Sequence, residues 1–310
     1  MNNIMEIETT REYRQKVLEA LEEARKRFSG SNGEFAKKYG LHPSIYSEIV
    51  KGKITADTER KIGDARWLAV GRLLGVAASE RAWRMARTDV FNMIEQYVDF
   101  CKEHSKAMMF VDECAIGKTY SALYLSRNRK NCFYLDATQC RSRRSFILHL
   151  ARCIGADEGT TEEMEDSIKY ALCNIPYPVV IIDEAGALSY AALESLHGLW
   201  NGTENLCGWF MMGSDGLRTK LQNGKGRSRK NSFKELFSRF SSKYYSIVPT
   251  GKDDRLLFYR RLITDVLSVN VDDMQIVKKV VNMCLDTHGD TLETGLRRAE
   301  SALILMQEGA

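Results

Sequence analysis

The chain has 310 residues, 44% of them hydrophobic, which is enough for a sizeable core and about two domains. Its 45 basic and 41 acidic residues leave a net charge of only +4, so bulk charge does not define a nucleic-acid protein and the clustering of basic residues must decide. Only four prolines and no low-complexity run or internal repeat exclude linker-rich and solenoid designs.

The start, MNNIMEIETTREYRQK, is polar, and no apolar run approaches the ~20 residues of a membrane helix, so a cytoplasmic protein with no membrane partner is expected. The eight cysteines are scattered without a C-x-x-C pair, as reduced thiols would be, and the five histidines form no metal-binding spacing with them.

Residues 9–28 read as a helix capped by Thr9 or Thr10, with Val17, Leu18, Leu21 and Ala24 at helical spacing. Two short helical patterns follow in GSNGEFAKKYGLHPSIYSEIVKGKI. Ala36 is small where two helices approach, Gly40 suits a left-handed turn, and Leu41, Ile45 and Ile49 supply a buried face. Pro43 fits the first turn of the second helix. This spacing predicts a helix-turn-helix, with Ser44 and Ser47 as candidate DNA contacts; an ordinary helical bundle is the alternative. We place this domain at 1–65 and a helical connector at 66–86.

From 107 onward the chain alternates. AMMFVD, CFYLDA, VVIIDE, GWFMMG and YYSIVP are short apolar runs, and helical patterns at 118–127, 143–154, 161–173 and 188–199 separate most of them. Alternation of this kind predicts an α/β core at 87–250, built on a five-stranded parallel sheet buried on both faces. Only helical patterns remain at 252–267, 271–286 and 291–307, which predicts a C-terminal helical lid at 251–310.

The first strand runs into Asp112-Glu113-Cys114-Ala115-Ile116-Gly117-Lys118-Thr119, close to the phosphate-loop template G-x-x-x-x-G-K-[ST]. In that template backbone N–H groups cradle phosphates, the lysine reaches the β- and γ-phosphates, and the hydroxyl serves Mg²⁺. Residues 113–120 (Glu113, Cys114, Ala115, Ile116, Gly117, Lys118, Thr119 and Tyr120) are therefore candidate ATP contacts. Two positions depart from the template: Asp112 replaces the first glycine and Ala115 stands where a second is common. A carboxylate at 112 either faces polyphosphate or turns outward. Support comes from VVIIDEA, where a buried strand delivers Asp183 towards the metal with Thr119 and leaves Glu184 free to polarise a water. General acid–base work without nucleotide is the other use of such a carboxylate pair. Ser214 ends the next strand as a candidate phosphate and water sensor. Arg239, in LFSRF, is a candidate finger for a neighbouring subunit, and Arg297 opens the last helix where it could reach back to the nucleotide.

These features in this order resemble an AAA+ P-loop NTPase. With the helix-turn-helix placed first, the arrangement resembles the phage Mu B transposition protein family, the ATPase subunits of transposons and insertion elements. The matching residues are Ala36, Gly40-Leu41, Gly117-Lys118-Thr119, Val179 to Ala185, Met212-Gly213, Leu236-Phe237-Ser238-Arg239 and Leu296-Arg297. The resemblance implies ATP-bound homo-oligomers, filaments or rings, on double-stranded DNA with little sequence preference. It implies recruitment of a transposase and release on hydrolysis. It assigns Lys118 to phosphate, Thr119 and Asp183 to Mg²⁺, Glu184 to catalysis, Ser214 and Arg297 to the two sensor positions, and Arg239 to the finger.

Two basic clusters are candidate DNA contacts through phosphates: Arg141, Arg143 and Arg144 after the second strand, and Arg218, Lys220, Lys225, Arg227, Arg229 and Lys230 in what reads as a mobile loop after the fourth. Two other functions stay open: a helicase-loader-like remodeller, and a nucleotide-gated DNA-binding regulator with little hydrolysis, which Asp112 would favour.

Overall fold

The computed structural model describes residues 9–58, 61–76, 83–223, 239–240, 245–286 and 294–307, with residues 221–223 described by their backbone. Helix α1 (Arg11–Lys26) starts where the Thr10 side chain accepts from the Tyr13 N–H, and it buries Tyr13, Val17 and Leu21. A reciprocal capping box between Ser31 and Glu34 opens α2 (Asn32–Lys38). Helix α3 (Pro43–Val50) begins on its proline. Between them Gly40 takes φ 64°, and the Leu41 N–H returns to the Ala36 carbonyl at 2.8 Å. A tight turn thus joins the two short helices α2 and α3. Helix α4 (Asp64–Leu74) packs on α1, so it belongs to this N-terminal unit. From Trp83 to Thr88 the chain is an extended strap without helix.

The core follows as α5 (Asp89–His104), β1 (Ala107–Val111), α6 (Lys118–Asn128), β2 (Cys132–Asp136), α7 (Arg143–Ile154), α8 (Thr161–Asn174), β3 (Val179–Asp183), α9 (Tyr190–Gly202), β4 (Gly208–Gly213) and α10 (Asp215–Asn223). The C-terminal helices are α11 (Lys252–Asn270), α12 (Met274–Leu285) and α13 (Leu296–Gln307). The strands are parallel in the order β1-β4-β3-β2.

Because successive side chains alternate across a strand, the sheet feeds two cores. Met109, Val111, Val180, Ile182, Trp209 and Met211 share one with α7, α9 and the N-terminal helices. Met108, Phe110, Val179, Ile181, Phe210 and Met212 share the other with α5 and the C-terminal helices. The N-terminal unit is thus packed onto one face of the α/β core: the Asn131 side chain donates to Ser29 Oγ at 3.1 Å and to the Pro176 carbonyl at 2.7 Å, tying the two together.

Two expectations change. Among the described residues the sheet has four strands, not five. The fifth run contributes a single parallel bridge at Tyr245, which exchanges hydrogen bonds with Met109 and Val111 of β1. Two residues on, the Ile247 and Val248 N–H groups are both taken by the Asp112 carboxylate, which ends the pairing. In addition, Arg218 and Lys220 lie on helix α10 and not in a loop. The eight cysteines are unpaired, and no described helix is long and apolar enough to cross a membrane.

Candidate nucleotide-binding site

Strand β1 ends at Val111 and helix α6 begins at Lys118, so the six residues between them turn at the carboxyl edge of a parallel sheet, where such folds bind ligands. Asp112 is buried, with one carboxylate oxygen accepting from the Glu113 N–H at 2.8 Å and the other from Ile247 and Val248. The carboxylate therefore faces away from the loop's concavity, satisfied by three N–H donors. The first template glycine is dispensable here because Asp112 is not at positive φ; the positive angles fall at Ala115 (φ 58°) and Gly117 (φ 98°). An alanine in the left-handed region costs about 1–2 kcal/mol, and its surroundings hold it there: the Ala115 carbonyl accepts from the Leu296 N–H at 2.8 Å.

Lys118 is buried at the first turn of α6, where its ammonium donates to the carbonyl of Asp112 at 2.9 Å and to that of Glu113. Burial pushes this ammonium below its ordinary value, against the pull of Cys114, Glu184, Asp112 and Asp183. Next to it, the Thr119 hydroxyl donates to Asp183 Oδ2 at 2.6 Å, and the Tyr134 hydroxyl donates to the same oxygen at 3.1 Å. The other Asp183 oxygen accepts from the Glu184 N–H at 2.9 Å. Burial pushes the Asp183 carboxyl up despite these bonds. Glu184 is half-buried and left-handed (φ 49°). Burial, then the neighbouring Asp183 charge, push its carboxyl up, while Lys118 and Arg297 pull it down. Ala115 and Glu184 are thus two strained residues bordering one cleft, a pattern associated with functional sites.

The cleft has a volume of about 290 Å³. Its floor is residues 114–121 with Glu184; Leu296 and Arg297 come from α13, and Val266 from α11. The strap supplies Trp83 to Ala86, and Phe91 of α5 adds an apolar wall. The strap is fixed at both sides: the Tyr120 hydroxyl donates to the Trp83 carbonyl at 2.5 Å, Trp83 Nε1 donates to Glu300 at 3.0 Å, and Asn270 accepts from the Arg84 N–H at 2.6 Å. One end of the cleft is flat and apolar, and the other carries a lysine, helix N–H groups and acids. That suits a base at one end and phosphates at the other. For a magnesium ion, Thr119 and Asp183 offer two oxygens on one side of the loop, the small protein share such a site uses when phosphates supply the rest.

Cys114 to Tyr120, Glu184 and Arg297 are brought together in the cleft, and Asp183 touches it through Thr119. Glu113 instead points to α11, in a salt bridge with Arg255 (2.7 Å between Oε2 and Nη2) and accepting from Tyr259 at 2.6 Å. Ser214 stands at the tip of β4 and does not line the cleft. Arg239 is exposed and lies over the Trp200 ring at 4.9 Å, outside its own chain's cleft.

Of the basic candidates, Arg141 and Arg144 are exposed at the start of α7. Arg143 is held by Glu165 and Ser195. Arg218 pairs with Asp215, and Lys220 donates to the Leu188 carbonyl. Ser44 Oγ lies 2.7 Å from His42 Nδ1 on α3 and Ser47 is half-buried there. Lys225, Arg227, Arg229 and Lys230 lie outside the described residues, as do Leu236 to Ser238. Tyr134, Arg255, Tyr259 and the strap were not legible in the sequence, because each acts across a long stretch of chain.

Residues 101–221 match the family model described as an AAA domain. The chain therefore carries an AAA domain, of the nucleotide-binding P-loop ATPase class. Among solved structures it is similar to Cdc6p from Pyrobaculum aerophilum, at 13% identity and a TM-score of 0.53, covering 74% of this chain and 65% of that one. A likeness to NtrX from Brucella abortus in complex with ATP, at 9% identity and a TM-score of 0.39, covers 86% of this chain and 65% of that one, and is too distant to bear on the fold. The chain thus spans about two thirds of the length of either, with the α/β fold in common with the first. No curated protein matches its sequence.

Proposed function

We propose that this protein is an ATP-dependent DNA-binding ATPase of a mobile element, which assembles as a homo-oligomer on double-stranded DNA and recruits or activates a transposase. The observation that carries the reading is the position of Arg239. It lies exposed on Trp200 and outside its own cleft, as a residue intended for a neighbour's phosphates would. The helix-turn-helix of α2 and α3 and the exposed Arg141 and Arg144 supply surfaces for DNA phosphates. The outward turn of Asp112 weighs against a regulator that has lost nucleotide.

In this reading Lys118 leaves the carbonyls of Asp112 and Glu113 to reach phosphate. Thr119 and Asp183 hold the metal, and Tyr134 keeps Asp183 oriented. Glu184 orients and polarises the attacking water, and its raised proton affinity makes it a stronger base than a free carboxylate. Bound Mg²⁺ would offset the charge of the phosphates. Arg297 closes the cleft from the lid, and Arg239 completes a neighbour's site, so hydrolysis is weak until subunits assemble on DNA or meet the partner. Ser214 reads as the residue at the first sensor position.

Electron microscopy and co-sedimentation with duplex DNA test this directly. Assemblies should require both ATP and Lys118, so Lys118→Ala abolishes them. Glu184→Gln should trap them, and Arg239→Ala should retain nucleotide binding yet lose hydrolysis. DNA binding indifferent to nucleotide would overturn the proposal in favour of a plain DNA-binding module.

A further inference from the structure

A second cavity, of about 270 Å³, lies between the N-terminal unit and the ATPase core and has no part in the chemistry above. Helices α1 and α2 wall one side; the end of α6 and the start of β2 wall the other. Its charged lining is Glu23, Arg27, Lys38, Arg127 and Arg129. Three of these are already engaged. Glu23 accepts from Lys26 at 2.6 Å, Arg27 donates to the Arg127 carbonyl at 3.0 Å, and Arg129 is bound to both Asp99 and Glu95.

Lys38 and Arg127 remain. Among the described residues neither has a carboxylate or hydrogen-bond partner for its charged group. The Lys38 ammonium sits over the Phe133 ring at 4.7 Å, with Phe28 at 5.6 Å and Tyr39 at 5.8 Å. Arg127 Nε is fully buried with no partner, among neutral tyrosines 39, 120 and 134. Removing an unpaired charge from water costs several kcal/mol. A lysine can escape that cost by losing its proton, but an arginine cannot. Lys38 and Arg127 both line the cavity, and its one acid, Glu23, is taken by Lys26, so the two cations form an incomplete ion cluster whose missing member is an anion.

We propose that this cavity binds a small phosphate-bearing anion between Lys38 and Arg127. The planar guanidinium fork matches phosphoryl oxygens, two cations balance a multiply charged group, and the Tyr39 phenol, which burial keeps protonated, adds a donor. The occupant would tie α2 of the N-terminal unit to the end of α6. That helix begins at Lys118 in the nucleotide cleft and is 11 residues long, about 16 Å at 1.5 Å per residue. Anion binding would therefore lock the N-terminal unit onto the same helix that holds the nucleotide.

The test uses the full chain with Lys118→Ala, which silences the nucleotide cleft, and pyrophosphate as the probe in isothermal titration calorimetry. Binding to a single site should persist and should weaken at least about tenfold on adding Lys38→Gln or Arg127→Gln. Arg127→Lys should recover part of it, since charge returns but the fork does not. Binding of a fluorescent ATP analogue by Lys38→Gln and Arg127→Gln chains that keep Lys118 reports that they are folded; should Arg127→Gln fail there, Lys38→Gln decides. Loss of all pyrophosphate binding in Lys118→Ala alone would overturn the proposal, as would binding indifferent to Lys38. A short DNA duplex is titrated in parallel. If its affinity falls with Lys38→Gln while pyrophosphate does not bind, the cavity serves DNA phosphates and the small-anion assignment is wrong.

Discussion

Asp112 departs from the phosphate-loop template without turning its charge into the cleft. The template wants glycine there, and the carboxylate would oppose phosphate if it faced the cleft. It faces the other way, because the N–H groups of Glu113, Ile247 and Val248 all bind it. Asp112→Gly should therefore not improve nucleotide affinity. It should lower stability by about 1–3 kcal/mol, the cost of leaving buried donors unpaired, read by urea unfolding. A gain in affinity above about tenfold, roughly 1.4 kcal/mol, would show that the carboxylate acts on phosphate after all. Glu184 behaves oppositely. Its proton is held more tightly in the folded chain than in the unfolded one, so its ionised form opposes folding above the ordinary value of 4.5. Glu184→Gln should raise the melting temperature of the nucleotide-free chain at pH 7. That gain should shrink as the pH falls and vanish below 4.5, where both states carry the proton. A gain independent of pH would mean that charge is not the cause. The Asp112 environment was not legible in the sequence, since two of its three donors, Ile247 and Val248, lie more than a hundred residues away in the chain.

At the scale of elements, the lid is joined to the phosphate loop at two places. Glu113 binds Arg255 and Tyr259 of α11, and the Ala115 carbonyl accepts from the start of α13. The second contact needs a glycine. A Cβ at Gly295, where φ is +146°, would lie 2.9 Å from Ala115 Cβ and 3.0 Å from its carbonyl oxygen. Gly295→Ala should push α13 off the loop and carry Arg297 away from the cleft. Nucleotide affinity should fall at least about tenfold, measured with a fluorescent ATP analogue, with Gly216→Ala as a control in open space. An unchanged affinity would mean that the lid takes no part in binding. The helices of this lid were predictable from their apolar period, as were α6 to α9. Helix α10 was not, because its basic, glycine-flanked sequence reads as loop and its stability comes from Leu217 buried against the core. The fifth strand was over-read for the complementary reason: YYSIVP has strand composition, but Asp112 takes the N–H groups that would have continued the ladder.

At the scale of the molecule, the N-terminal unit is not a tethered module. Its core residues Phe35 and Tyr46 belong to the same buried cluster as Phe133 and Ile147 of the ATPase core. Ala36, Gly40 and Leu41 marked two short helices and the turn between them, but they could not say that Phe35 would pack on that core, since burial across a domain boundary leaves no period of its own. Docking depends on close backbone approach where α2 meets the end of α7. Gly155, at φ +87°, lies against the Glu34 carbonyl, so that any Cβ there would collide with backbone. Gly155→Ala combines that collision with an unfavourable φ, and the chain should lose about 1–3 kcal/mol. The loss should be cooperative, because a continuous core unfolds as one unit. Calorimetry should therefore record a single transition in the wild type, shifted down in the variant. If the variant instead shows two transitions, with the ATP-sensitive one unmoved, the N-terminal unit folds independently. In that case α2 and α3 could swing without disturbing the cleft. With one transition, occupancy of the cleft at Lys118 and the orientation of α3 are mechanically a single variable.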